Sequence, residues 1–248
     1  YFSNITQVKQ ITVTNAFYGF DRIQPSKDRR IDSYKNDLWE NNSATKGWLP
    51  AVKVYGEGIF IEFNSTAIKS WSRDFSTKTE FKKLQEKALM SSLHEKVGVL
   101  SPAYLLIHTF SHLLINQMIF DCGYSTASLR ERIYVSEDPE TQMYGLLIYT
   151  AAGDSEGSLG GLVRMAEPKK FEAILRKSID SSNWCSSDPI CREQGDKGGQ
   201  GPYGMNLAAC HNCALLPETS CENFNTLIDR GCVTSRELNG DGYFDSLY

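Results

Sequence analysis

The sequence predicts an α+β fold, with a β-rich N-terminal part packed on a long buried helix and a cysteine-bearing C-terminal module. Three observations predict it. β-Branched and alternating segments crowd the first 70 residues. One long apolar stretch, Tyr104 to Phe120, has helical length and helix signals at its ends. Six of the seven cysteines lie after residue 184, in paired spacing. The 248 residues suffice for one large domain or a core with an appended module.

Each element follows from local pattern. Ile11-Thr12-Val13-Thr14 is β-branched and reads as strand. Trp48–Tyr55 and Gly58–Phe63 read as two strands joined by a turn at Gly56-Glu57-Gly58. Residues 24–47 are polar and charged and read as a mobile loop. Thr77-x-x-Glu80 has the spacing of a capping box, in which a hydroxyl and a carboxylate satisfy backbone amides at a helix start, and predicts a helix to about Glu95. Ser101-Pro102 opens a second helix, because the N–H that proline lacks has no helical partner in a first turn. That helix covers Ala103–Asp121 and stops at Gly123. Strands are predicted at Arg132–Ser136 and Leu146–Thr150, a glycine-rich segment at Gly153–Gly161, and a further helix from near Pro168. Residues 195–204 are glycine-rich and expected to be flexible. No internal repeat is present. The expected division is 1–76 as the β-rich segment and 77–248 as the remainder, or one continuous domain.

Hydrophobic residues make up 41% and charged residues 23%, an ordinary globular composition. The formal net charge of -4 excludes a strongly basic nucleic-acid footprint, so any contact with DNA needs a local patch or a partner. The opening Tyr1-Phe2-Ser3-Asn4 carries no initiator Met and no signal-peptide pattern, and reads as an internal start. The apolar stretch is interrupted by His108, Thr109, Ser111, His112, Asn116 and Gln117, which favours a buried helix over a membrane span of about 20 mostly apolar residues. No membrane association is expected.

Seven cysteines, clustered and odd in number, favour metal binding in a reducing cytoplasm over a secreted disulfide framework. Cys210 and Cys213 form a C-x2-C knuckle, which turns two thiolates onto one ion; Cys185 and Cys191 form a C-x5-C pair. Zinc takes four such ligands in a tetrahedron. The expected site is therefore one structural zinc held by Cys185, Cys191, Cys210 and Cys213, clasping a loop from Arg192 to Ala209. Cys221, eight residues past Cys213, rivals these for a ligand position. His211 lies inside the knuckle and is expected to point away, while Cys122 and Cys232 read as core thiols.

Weaker signals carry less. His108-x-x-x-His112 places two imidazoles on one helix face, but the sequence lacks the Glu of H-E-x-x-H, so buried, hydrogen-bonded histidines are the favoured reading. Asp154 and Glu156 sit in the glycine-rich segment after a strand, where α/β active sites place carboxylates; a turn and helix start is the plainer reading. Gly199-Gln-Gly201-Pro-Tyr-Gly204 spells a dinucleotide motif but follows no strand and contains Pro202. No G-x-x-x-x-G-K-S/T motif occurs, so the chain is no nucleotide-driven motor by itself. Asn239–Asp245 is similar to a calcium loop but lacks the Glu needed at its twelfth position. Arg130, Arg132, Lys169, Lys170, Arg176 and Lys177 read as a solvated basic face.

Several blocks together carry a family resemblance. They are Trp48–Phe60, His108-Thr-Phe-Ser-His112, Ser128–Tyr134, Gly153–Gly161, Trp184–Cys191, and Asn206–Glu222 with Cys210-His-Asn-Cys213 inside it. In order over most of the chain, they resemble DrmB, the partner of the DrmA helicase in the bacterial anti-phage system DISARM. The C-terminal blocks resemble the four-cysteine zinc-binding domain that closes MrfA-type DNA-repair helicases, which names residues 77–248 an MrfA-like zinc-binding domain within a larger protein. The resemblance implies a zinc-binding, non-catalytic scaffold subunit that docks on a DrmA-like helicase in the cytoplasm and meets DNA through that complex. It assigns the ligand roles to Cys185, Cys191, Cys210 and Cys213, and it leaves Cys232 outside the family's cysteine pattern. The alternative is a metal-dependent nuclease or other hydrolase using His108, His112, Asp154 and Glu156, which must then converge in an open cleft.

Overall fold

A computed structural model of the chain describes residues 1–19, 48–91, 93–150, 161–195, 197–235 and 240–247. Its strands are β1 (Phe2–Ala16), β2 (Ala51–Phe63), β3 (Leu129–Ser136) and β4 (Met143–Thr150). They form one antiparallel sheet in the order β1-β2-β4-β3. Seven helices are described: α1 (Ser65–Phe75), α2 (Thr79–Leu89), α3 (His94–Val97), α4 (Pro102–Cys122), α5 (Gly161–Met165), α6 (Pro168–Ser182) and α7 (Ile190–Glu193). The fold is α+β, as the sequence predicts.

Gly56-Glu57-Gly58 does not turn the chain; β2 runs straight through it. The glycines serve close approach instead. A Cβ on Gly56 would lie 1.9 Å from the Thr150 carbonyl oxygen, and one on Gly58 would lie 2.8 Å from that of Ile148. The irregularity falls on β1, where the register shifts between Val8 and Ile11 so that two residues oppose Glu57. Glu57 is buried, and its carboxylate accepts the Leu162 amide (2.7 Å) in the first turn of α5, where an unpaired helix N–H favours an anion.

The helices also depart from expectation locally. α1 follows β2 directly, capped by the Asn64 side chain, which accepts from the Ala67 amide. Thr77 opens no capping box: its hydroxyl donates back to the Asp74 carbonyl (2.8 Å), closing α1, and α2 ends at Leu89. The predicted loop at 24–47 lies outside the described residues, as does all of Gly153–Gly161 before its last glycine.

Helix α4 is the core. Ser101 caps it through the Tyr104 amide (3.1 Å), and Gly123 ends it at φ 71°, the left-handed conformation that glycine adopts without a Cβ penalty. Leu105, Leu106 and Ile107 have no exposure, nor do Phe110 and Leu114. Three consecutive residues point in three directions on a helix, so α4 is covered on all sides. Its cover is β3, β4, α1, α6 and the turn at Arg230–Cys232. By length and composition α4 could cross a membrane, but most of it is buried inside this fold. β2 and β4 supply the apposed pairs Ile59–Ile148 and Ile61–Leu146, all without exposure. β2 and β4 pair across the 76/77 division, so the sheet draws on both sides of it.

The two ends of the described chain meet in an aromatic cluster. Tyr1 packs on Tyr243 and Phe244 (centroids 5.2 and 4.9 Å), and Phe110 of α4 meets Phe63 and Phe244 (5.8 and 5.4 Å). Around it, residues 240–245 form a polar turn with buried aromatics: Asp245 accepts the amides of Ser235 (2.8 Å) and Gly242 (2.7 Å), and Asp241 pairs with Lys78.

Candidate metal centre

Two elements bring the four expected thiols together. α6 ends at Ser182, and the chain turns through Cys185 into the single turn of α7, which carries Cys191. The second pair sits on a tight turn in which the Cys210 carbonyl accepts the amides of Cys213 and Ala214, both at 3.1 Å. The Sγ atoms of Cys185, Cys191, Cys210 and Cys213 lie within 4.8 Å of one another. Three of the separations are 3.5 Å (Cys185–Cys210), 3.7 Å (Cys210–Cys213) and 3.9 Å (Cys191–Cys213). A disulfide needs about 2.05 Å. Four bonds of about 2.3 Å in a tetrahedron place sulfurs about 3.8 Å apart, so the cluster has the size and chemistry of a zinc tetrathiolate.

The surroundings are prepared for negative sulfur. Backbone amides point at two of the sulfurs: Cys210 N donates to Cys213 Sγ (3.2 Å) and Ser187 N to Cys185 Sγ (3.4 Å). The hydrogen bond from Cys213 lowers the Cys191 pKa to about 5 and pushes Cys213 up, so the two share one proton. A metal ion would displace that proton. Arg230, without solvent exposure, donates to the Ser182 carbonyl (3.0 Å) and pairs with Asp188, whose other oxygen accepts the Cys185 amide (2.9 Å).

The described residues between the thiol pairs are hydrogen-bonded into a hairpin, where a flexible loop was expected. Gln200 and Asn206 exchange both backbone hydrogen bonds (2.7 and 2.9 Å), and the Gln200 side chain reaches the carbonyls of Cys191 (3.1 Å) and Leu207 (2.6 Å). Gly199, Gly201 and Gly204 have φ of 87°, 73° and 64°. Their spacing serves a hairpin and no dinucleotide. His211 is exposed and outside the cluster, and Cys232 is buried with its Sγ on the Asp229 carbonyl (2.8 Å).

Cys221 is not beside the other four thiols. Its Sγ lies 3.2 Å from His108 Nε2, in a separate buried group of His108, His112, Glu131 and Cys221. His108 and His112 have no exposure and stand edge to face at 4.7 Å. They are buried and hydrogen-bonded, as favoured from sequence, and among the described residues they face no open cleft of the kind the hydrolase alternative needs. Asp154 and Glu156 lie outside the described residues. Burial raises the Glu131 pKa, but the two imidazoles outweigh it and hold the carboxyl well below the usual range. Four of the six basic candidates are paired with carboxylates: Arg132 with Glu222, Lys170 with Glu167, Arg176 with Glu172 and Lys177 with Asp121.

Sequence reasoning missed Glu131, Asp188, Gln200 and Arg230. Glu131 had one signal. It stands two residues after buried Leu129 on the inward face of β3, but the strand was expected to start one residue later.

An α+β fold closing a tetrathiolate cluster defines a zinc-binding domain, and residues 110–214 match the family model of the MrfA Zn-binding domain. The matched span contains all four cysteines of the cluster. More particularly, the chain is 36% identical over 241 residues to the DISARM protein DrmB of Bacillus paralicheniformis, across 94% of this chain and 41% of that protein. The chain spans about two-fifths of the length of that relative.

Proposed function

We propose that the chain is a non-catalytic, zinc-held scaffold of a DrmB-type subunit in bacterial anti-phage defence. One zinc ion binds Cys185, Cys191, Cys210 and Cys213 and has a structural role. The observation that carries this is the four-thiol cluster itself. Four protein sulfurs fill a tetrahedron and leave no position for water or substrate, which separates a structural from a catalytic zinc. The ion supplies cross-linking: it ties the end of α6 and the turn of α7 to the knuckle at Cys210–Cys213. The likeness to the DISARM protein DrmB supports the setting.

In this reading the chain docks on a DrmA-like helicase in the cytoplasm and meets DNA through the complex. The net charge of -4 and the paired basic residues support indirect contact, since phosphate binding rests on free cationic groups. The test is co-purification of full-length chains with a DrmA-like helicase, alongside phage plaque counts. Wild type retains the helicase and restricts phage, and Cys210→Ser loses both. Clean separation of wild type from the helicase would sink the docking claim.

A further inference from the structure

We propose that His108, His112, Glu131 and Cys221 form a second, closed metal site for a divalent ion of zinc's class. The four ligand atoms lie within 4.8 Å of one another, on residues that are all buried. His108 and His112 come from adjacent turns of α4, Glu131 from the inward face of β3, and Cys221 from the loop that follows the cysteine knuckle. The site shares no ligand with the four-cysteine cluster, and the MrfA domain match, 110–214, leaves out His108 and Cys221.

The hydrogen bonds orient every donor inward. His108 Nδ1 is 3.0 Å from the Leu227 carbonyl, and His112 Nδ1 is 2.8 Å from that of Ala214. A carbonyl only accepts, so both Nδ1 atoms carry protons, and both Nε2 atoms face the centre, where a metal ion would take the place of any proton on them. This arrangement, with the far nitrogen anchored on a carbonyl, is the usual one for a metal-bound histidine. Glu131 Oε1 is 3.2 Å from His108 Nε2 and 3.6 Å from His112 Nε2. His112 Nε2 is fully buried with no hydrogen-bond partner. Without a metal ion, protons on these groups must hold nitrogen, oxygen and sulfur together in a buried interior.

The outer contacts fit a ligand set. Glu131 is held by Ser111 and by the Glu222 amide (3.1 Å). Cys221 Sγ accepts the amides of Asn223 and Asn225, both at 3.3 Å, contacts that would favour a metal-bound thiolate. To deliver them the loop takes positive φ at Phe224 (52°) and Asn225 (58°). Charge closes as well: one carboxylate and one thiolate neutralise a divalent ion, and two neutral imidazoles complete four ligands. Imidazole, thiolate and carboxylate are all zinc ligands, and four protein donors leave no open position. His112 also links the two centres, because the Ala214 carbonyl it holds adjoins Cys213.

The test is metal content of the full chain after saturation with zinc and removal of excess. Two zinc ions per chain are expected; Cys210→Ser and His112→Gln each lose one. A His112→Gln chain that keeps the wild-type content overturns the proposal. Because a buried substitution can prevent folding, zinc-edge X-ray absorption is read on the unmodified chain. Averaged over both centres, each zinc then has about 2.5 sulfur and about 1.5 nitrogen or oxygen neighbours. One zinc per chain in a shell of sulfur alone overturns it.

Discussion

Arg230 lies beneath the cysteine cluster and pairs with Asp188, and the same carboxylate accepts the Cys185 amide at 2.9 Å. A zinc tetrathiolate carries two net negative charges, so a buried guanidinium next to it is electrostatically matched. Arg230→Met removes the close partner of Asp188 and leaves it only Arg192, 3.9 Å away. Removing one partner of a buried pair costs about 3–5 kcal/mol, which urea unfolding should read. Zinc affinity should fall about 10- to 100-fold, the usual effect of losing an outer contact to a metal site. Arg230→Lys should recover little, because one ammonium cannot serve Ser182 and Asp188 from separate fork nitrogens.

Removing zinc under reducing conditions should loosen the molecule locally. Structural zinc contributes about 10–16 kcal/mol in small peptides, but here α4 and the sheet hold a core of their own. Hydrogen exchange should show amides of residues 183–215 losing protection while α4 keeps it. Equal loss in both would mean that the cysteine clasp supports the whole core.

Two glycines should fail for different reasons. Gly56→Ala drives a methyl into the Thr150 carbonyl, a backbone atom that cannot move alone, and should cost about 3 kcal/mol or more. Gly123→Ala meets no atom within 4 Å and bears only its φ of 71°, at about 1–2 kcal/mol. Denaturant midpoints of the two variants should differ accordingly.

Glu57 should be more sensitive to deletion than to neutralisation. Glu57→Ala leaves the buried Leu162 amide without its acceptor, a loss of about 1–3 kcal/mol. Glu57→Gln keeps an acceptor and should lose less than about 1 kcal/mol, since only charge at a helix start is removed. A Gln variant as unstable as the Ala variant would show that the charge matters more than the hydrogen bond.

Residues close in sequence announced their structure. The cap at Ser101, the stop at Gly123 and the length of α4 are local signals, and so are the knuckle spacing at Cys210 and Cys213 and the strands β3 and β4. These depend on backbone sterics and on ligands a few residues apart. Strand continuity through Gly56–Gly58 was hidden, because a glycine that turns and a glycine that admits a neighbouring carbonyl look alike in sequence. Tertiary packing alone decided the placement of Cys221. Thirty-six residues from Cys185 and eight from Cys213, it could have joined either group, and it went to His108. The cause is the path of the 221–227 loop over α4, fixed by contacts more than 100 residues apart, such as the 3.0 Å hydrogen bond between His108 and Leu227. The sequence by itself determined the chemistry of the first centre; only the packing of β3 and that loop against α4 assembled the second.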